Sequence, residues 1–178
     1  MCRFRDGETA AFETLYANHR GPLYRYFLRQ VARNAVDDLF QNVWLRVINS
    51  KARYRPDAPF GAFLYRIAHN VLVDHYRRVG RVPELIPDEA VDLPDTSTGP
   101  ERALTQHELR AALSRALDEL PAAQREAFLL HEEAGLTLEQ IAQVVGTGRE
   151  TIKSRLRYAL KRLRQELAEE AAPDKRQA

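Results

Sequence analysis

The 178-residue chain is long enough for one or two small domains, and its 44% hydrophobic and 29% charged residues exclude wholesale disorder. No apolar run approaches the roughly 20 residues of a membrane span, and the first residues lack a secretory signal, so we expect a cytoplasmic protein without membrane insertion. Cys2 is the only cysteine, which excludes an internal disulfide, and the net charge of +2 excludes a uniformly basic chain.

The charge is unevenly distributed along the chain. Residues 1–78 contain 13 basic and seven acidic residues, residues 79–100 contain one basic and five acidic, and residues 149–164 contain seven basic and one acidic. Two basic regions separated by an acidic connector indicate two contacts with one polyanion. Solvated helix faces are the simpler alternative.

Helical periodicity predicts three long helices in the first half. Thr9–Val31 is predicted as a helix with a break at Gly21-Pro22, because proline interrupts helices. The second helix carries an apolar core stripe beside Trp44, formed by Val36, Leu39, Phe40, Val43 and Val47. The third keeps one face apolar for three turns, through Phe60, Phe63, Leu64, Ile67, Ala68, Val71 and Leu72. Such faces are buried against each other, so residues 1–78 are predicted to form a helical bundle.

The pattern changes at residue 79. Four prolines and five acidic residues within residues 79–100 predict a flexible acidic linker. A second helical unit is predicted over residues 101–170, beginning with a helix at Glu101–Leu120, and residues 171–178 are predicted to be a disordered tail. The predicted fold is therefore all-α, with an N-terminal helical bundle and a C-terminal helix-turn-helix domain joined by an acidic, proline-containing linker.

The most specific motif is a helix-turn-helix at residues 137–164. Thr137 and Gln140 have the spacing of a capping box at the start of a short helix. Gly146 follows this helix as the residue that permits a tight turn. The predicted buried faces contain Leu138, Ile141, Ala142 and Val145 in the first helix, and Ile152, Leu156, Ala159, Leu160, Leu163 and Leu167 in the second.

The first turns of the second helix carry polar and basic residues suited to a DNA major groove. Arg149, Lys153 and Arg157 can donate to guanine, and Ser154 can donate or accept. Glu150 can accept from a cytosine amino group or favour the helix N-terminus. A basic amphipathic helix packed in a bundle, with no DNA role, is the alternative.

A second candidate surface combines basic side chains with aromatic rings, as single-stranded nucleic acid binding requires. Its members are Arg53, Tyr54, Arg55, Phe60, Phe63, Tyr65, Arg66, Tyr76, Arg77 and Arg78. Phe60 and Phe63 also lie on the core stripe, so burial is expected for them. Tyr54, Tyr65 and Tyr76 are expected to be more open.

These segments resemble a known family. The runs 37–46 and 63–78 look like region two of the extracytoplasmic-function (group IV) sigma factors of the sigma-70 superfamily, and residues 120–164 look like their region four. The resemblance implies a promoter-specificity subunit of RNA polymerase. Core RNA polymerase, promoter DNA and an anti-sigma factor are the implied partners, and the anti-sigma factor could hold the protein at a membrane.

The resemblance also implies site residues. Docking on core polymerase is expected for Asp38, Leu39, Gln41 and Val43. Recognition and melting of the minus-ten element, with a flipped base in a loop pocket, is expected for Arg53, Tyr54, Arg55, Tyr65, Arg66, Asn70, Asp74, Arg77 and Arg78. Reading of the minus-thirty-five element is expected for Arg149, Glu150, Thr151, Lys153, Ser154, Arg155 and Arg157.

No enzymatic activity, small-molecule substrate, cofactor or metal site is expected. The histidines and the single cysteine lack the spacing of metal ligands, and no phosphate-binding loop or nucleophile motif is present in the sequence. Two other functions stay open at this point: a stand-alone helix-turn-helix regulator, and a protein-interaction bundle with an incidental basic helix.

Overall fold

The computed structural model describes residues 1–80 and 105–171, and every regular element in these ranges is helical, which confirms the all-α class. Most of the predicted linker 79–100, the start of the helix predicted at Glu101 and nearly all of the predicted tail lie outside the described residues. The helices are α1 (Cys2–Arg5), α2 (Thr9–Leu28), α3 (Arg33–Asn49), α4 (Phe60–Arg78), α5 (Gln106–Glu119), α6 (Ala122–Glu132), α7 (Leu138–Val145) and α8 (Arg149–Ala171), with a 3₁₀ turn at Lys51–Arg53.

The predicted break in the first long helix is wrong. Helix α2 continues through Pro22, which lies inside it. Proline in a helix interior removes one hydrogen bond and costs about 3 kcal/mol. The side chains that follow it, Leu23, Tyr26 and Phe27, are completely buried, and burial of each contributes about 1.5–3 kcal/mol. Tertiary packing therefore keeps the helix in one piece.

The apolar faces predicted for α3 and α4 form the centre of the core. Val36, Leu39, Val43, Trp44 and Val47 of α3 are buried, and so are Leu64, Ala68, Val71 and Leu72 of α4. Three rings predicted for these faces, Phe40, Phe60 and Phe63, are only partly buried and pack around that centre, as does Tyr16 of α2. The 3.6-residue period thus identified the correct face of each helix.

The helix-turn-helix is confirmed in its local geometry. Thr137 accepts a hydrogen bond from the backbone N–H of Gln140, and the Gln140 side chain accepts one from the backbone N–H of Thr137. Gly146 ends α7 in the left-handed region with φ of 73°. That backbone conformation is costly for residues with a Cβ, so glycine is required at this turn.

The two helical units pack against each other instead of standing apart. One continuous core runs from α2, α3 and α4 into α6, α7 and α8. A smaller cluster joins α5 to α8 through Leu117, Leu120 and Leu163. We call this packing of the two units the closed arrangement. Among the described helices, none is both long enough and apolar enough to span a membrane.

Candidate nucleic-acid interface

The N-terminal end of α8 presents a polar surface to solvent. Arg149, Glu150, Lys153 and Arg157 are exposed, while Ile152 and Leu156 on the opposite side are buried in the core. The remaining predicted reading residues are partly buried: Thr151, Ser154 and Arg155. The buried side of α8 anchors the helix, so its first turns can enter a groove as a rigid element.

The charged side chains at this end form one network of ion pairs. Arg149 donates from Nε to the carboxylate of Glu139 on α7 and from Nη1 to Glu150 Oε1, the latter at 2.8 Å. Lys153 Nζ lies 3.7 Å from Glu150 Oε2. Hydrogen bonds from its own backbone N–H and from Arg149 lower the pKa of Glu139, which therefore stays ionised. Glu139 was missed by the sequence analysis, because it lies outside the second helix of the motif.

A second surface is formed by the loop between α3 and α4. The loop encloses an open pocket of about 580 Å³, lined by Arg5, Ala52, Arg53, Tyr54, Arg55, Pro56 and Asp57. Arg53 and Arg55 are exposed at this pocket. Arg5 was also missed by the sequence analysis, since it lies about 50 residues away along the chain. It reaches the pocket through a 3.4 Å hydrogen bond from Nη1 to the Tyr54 carbonyl oxygen.

The expectation that the three tyrosines are open is wrong. Tyr54 is buried and packs edge-on against Phe63, with ring centroids 5.0 Å apart. Tyr65 is only 1% exposed and packs against Tyr26 of α2, within the same helical unit. Tyr76 is partly buried, and its hydroxyl donates to the Gln30 carbonyl oxygen at 2.8 Å. Tyr54 and Tyr65 therefore offer no open ring face for stacking on a base, and Tyr76 packs against the core.

The outer face of α4 continues from the loop pocket along the helix. Four of its predicted contact residues are exposed: Arg66, Asn70, Arg77 and Arg78. Asp74 is partly buried, and its carboxylate lies 3.3 Å from Nη2 of Arg46 on α3. This ion pair ties the C-terminal part of α4 to α3, and Arg78 Nε donates to the Asp74 carbonyl oxygen at 3.2 Å.

The docking residues predicted on α3 divide into two groups. Asp38 and Gln41 are exposed, whereas Leu39 and Val43 are in the core with 4% and 0% exposure. A buried side chain cannot touch a partner while the helix stays folded. The expectation that Leu39 and Val43 contact the polymerase directly is therefore wrong, and these two residues instead support α3 from the core. Leu45, which was not predicted, is the most open large apolar residue on the helix, at 60% exposure.

Among the described residues, four polar contacts join the two helical units in the closed arrangement. Tyr26 Oη donates to Glu126 Oε1 at 2.7 Å, and His69 Nδ1 lies 2.7 Å from the same oxygen. Two arginines of α2 add to them: Arg25 Nε donates to Glu133 Oε2, and Arg29 Nη1 donates to Ser114 Oγ, both at 2.7 Å. These contacts link α2 and α4 to α5 and α6.

The closed arrangement also brings α7 against the loop surface. Gln140, Gln143 and Val144 of α7 share a cleft of about 280 Å³ with loop and α4 residues that include Arg53 and Arg66. Val144 is buried although it does not lie on the predicted inner face of α7. The first helix of the helix-turn-helix thus lies beside the basic loop.

Two family models match the chain, one in its N-terminal half and one in its C-terminal half. Residues 15–82 match sigma-70 region 2, and residues 110–163 match sigma-70, region 4. The RNA polymerase sigma factor CarQ of Myxococcus xanthus is 34% identical over 173 residues, which cover 95% of this chain and 96% of CarQ. The ECF RNA polymerase sigma factor SigE of Mycolicibacterium smegmatis is 32% identical over 171 residues, 93% of this chain and 66% of SigE.

Two solved structures share the fold. CnrH, solved in complex with the cytosolic domain of CnrY, has a TM-score of 0.65 at 23% identity, covering 92% of this chain and 91% of that one. The sigma factor RpoE of Bartonella quintana, solved in complex with the anti-sigma factor NepR, has a TM-score of 0.68 at 23% identity. The match covers 88% of this chain and 96% of RpoE.

Proposed function

The chain belongs to the extracytoplasmic-function sigma factors of the sigma-70 family, and on that premise we propose that it directs core RNA polymerase to particular promoters through two separate DNA-binding surfaces. The observation that carries the proposal is that each matched region presents exposed arginine or lysine side chains, one set at the loop and α4 and the other at the start of α8. The polymerase performs the chemistry, and this chain supplies recognition. A cytoplasmic location follows from this role.

The helix-turn-helix is assigned to the minus-thirty-five element as intact duplex. Arginine and lysine at the start of a recognition helix donate to guanine in the major groove, and Arg149 and Lys153 are exposed there. Arg157 lies one turn further along the same face. Thr151, Ser154 and Arg155 flank these residues and are assigned to phosphate contacts.

The loop and α4 are assigned to the minus-ten element. Arg53 and Arg55 can hold the phosphates on either side of an extruded base, and the pocket between them has room for a base. Tyr54 forms a wall of the pocket instead of a stacking platform in the closed arrangement. The exposed side chains of α4 extend this surface along the opening strands: Arg66, Asn70, Arg77 and Arg78.

Helix α3 is assigned to core polymerase. Asp38 and Gln41 offer polar contacts on its outer face, and Leu45 adds an apolar one. Leu39 and Val43 hold the helix in place from inside the core. An apolar contact surrounded by polar groups is typical of protein interfaces.

Use of both DNA surfaces together requires the closed arrangement to open. The two promoter elements lie about 25 base pairs apart, which is about 85 Å of duplex at roughly 3.4 Å per base pair. A compact chain of this length has a radius of gyration of only about 16 Å. We propose that the two units separate on polymerase, with residues 81–104 connecting them.

An anti-sigma factor is the proposed regulatory partner. RpoE of Bartonella quintana is described in complex with the anti-sigma factor NepR, and this chain shares its fold over most of both chains. If such a partner is itself a membrane protein, it would hold this chain at the membrane.

The test is transcription in vitro with purified core polymerase and a promoter library. We expect initiation at a defined subset of promoters only when this chain is added, with start sites at a fixed distance from a shared sequence. Tight binding to duplex DNA by the chain alone, without initiation on any template, would instead favour a stand-alone helix-turn-helix regulator.

A further inference from the structure

Glu139 contacts the reading end of α8 from another helix. It is the second residue of α7, and its carboxylate accepts a hydrogen bond from Nε of Arg149, the first residue of α8. The contact crosses the turn between the two helices. Both side chains are about half exposed, so the contact lies on the surface that faces solvent.

This contact leaves one edge of the Arg149 guanidinium available. An arginine side chain has five N–H donors. Glu139 takes the Nε donor and Glu150 takes one from Nη1, so three donors on Nη1 and Nη2 are left. Guanine presents two adjacent acceptors in the major groove, O6 and N7, and two parallel N–H groups of an arginine match them.

The network also balances the charge at this end of the helix. Glu139 and Glu150 lie opposite Arg149 and Lys153 within the same set of ion pairs. Phosphates attract proteins through net positive charge, without regard to sequence. Balanced charge weakens that attraction and leaves the hydrogen-bond pattern of the base edges to decide where this end of the helix binds.

We propose that Glu139 is a positioning residue for promoter recognition: by holding Nε of Arg149, it aims the free edge of the guanidinium at a guanine of the minus-thirty-five element. The inference rests on the proposed function and adds to it a specificity residue that lies outside the recognition helix. An exposed ion pair contributes little to stability, so loss of Glu139 changes recognition without unfolding the chain.

The experiment measures transcription in vitro with core polymerase on a promoter whose minus-thirty-five positions are changed one base pair at a time. The experiment compares the wild-type chain with four variants: Glu139→Ala, Glu139→Gln, Arg149→Ala and the double variant Glu139→Ala/Arg149→Ala. Glu169→Ala is the control, because it removes the same charge from α8 about 30 Å from Arg149 at roughly 1.5 Å per residue. Thermal unfolding of each variant verifies the fold.

We expect Glu139→Ala to lower the preference for one G·C pair about tenfold, a typical size for one bidentate contact. The loss of one negative charge should in addition raise binding to every promoter by the same factor. Glu139→Gln, which keeps an acceptor for Nε, should retain most of the preference. The double variant should discriminate no worse than Arg149→Ala, and Glu169→Ala should match the wild type.

Two results would overturn the inference alone. One is a Glu139→Ala profile with the wild-type preference at every position, and the other is an equal change on all promoters and nothing more, which would make Glu139 a purely electrostatic residue. A wild-type chain that initiates on no template would overturn the proposed function itself, and this inference with it.

Discussion

Glu126 makes two of the polar contacts that join the helical units in the closed arrangement. Its side chain is 14% exposed, and its carboxylate contacts the Tyr26 hydroxyl and the His69 ring, which belong to the other helical unit. A carboxylate at such depth is tolerated only when hydrogen bonds replace its hydration. Tyr26 is completely buried, so its hydroxyl depends in turn on Glu126.

Glu126→Ala should lower the free energy of unfolding by about 1–3 kcal/mol, because the Tyr26 hydroxyl is left buried without its acceptor. Glu126→Gln keeps an acceptor and should lose less. Urea denaturation followed by circular dichroism measures both. Glu133→Ala is the control, since its partner Arg25 is about half exposed and retains water. Equal stability of Glu126→Ala and the wild type would mean that this contact is absent in solution.

Tyr26 and Tyr65 should make stability fall at alkaline pH. Burial, and then the nearby Glu126 carboxylate, raise the pKa of Tyr26 well above its ordinary value, and burial similarly raises the pKa of Tyr65. Above about pH 10 the unfolded chain loses these protons while the folded chain keeps them. Their stabilising contribution is therefore complete below pH 10 and declines above it.

The expected slope is about 1.4 kcal/mol per pH unit for each tyrosine that behaves in this way. Denaturation at several values between pH 8 and 11 measures it. Tyr26→Phe and Tyr65→Phe should each reduce the slope. A slope unaffected by either substitution would mean that the loss of stability at alkaline pH does not come from these two tyrosines.

At the scale of elements, sequence features that depend on neighbouring residues were predicted correctly, whereas features that depend on tertiary contacts were not. The capping box at Thr137 and the left-handed turn at Gly146 depend on neighbouring residues, so the sequence predicted both correctly. The continuity of α2 through Pro22 depends on burial against other helices, and the sequence predicted a break instead. On α3 the sequence likewise did not separate the residues of the core face, Leu39 and Val43, from those of the exposed face, Asp38 and Gln41.

Helix α3 supports a prediction that separates these two faces. Asp38→Ala combined with Gln41→Ala should weaken binding to core polymerase and leave the melting temperature unchanged, because both side chains are exposed. Val43→Ala should instead lower the free energy of unfolding by about 2 kcal/mol, because it leaves a cavity in the core. Surface-plasmon resonance with immobilised core polymerase and thermal denaturation measure the two effects. Unchanged affinity of the double variant would reject this docking face.

At the scale of the whole molecule, the closed arrangement opposes the proposed use of two distant DNA sites. In the closed arrangement α4 and α7 pack against each other, which covers the α7 face that contains Val144 and the α4 face opposite it. Opening exposes both, and polymerase and promoter contacts must offset that cost. Free chain and polymerase-bound chain should therefore differ in shape.

Weakening the contact between the units should expand the free chain. In small-angle X-ray scattering, Glu126→Ala combined with Arg25→Ala should have a larger radius of gyration than the wild type, while far-ultraviolet circular dichroism stays the same. Arg115→Ala, which removes an ion pair to Glu170 within the second unit, is the control and should not expand. Identical scattering of the double variant and the wild type would mean that the apolar contact alone holds the units together.

The sequence by itself determined most of the long helices and the helix-turn-helix with its cap and turn, because these depend on neighbours within one or two helical turns. The tertiary structure alone decided which tyrosines are covered, why Val144 is buried and how Arg149 is held by Glu139. The reason is physical: Tyr26 and Glu126 are 100 residues apart along the chain, and no local period indicates which distant faces will meet.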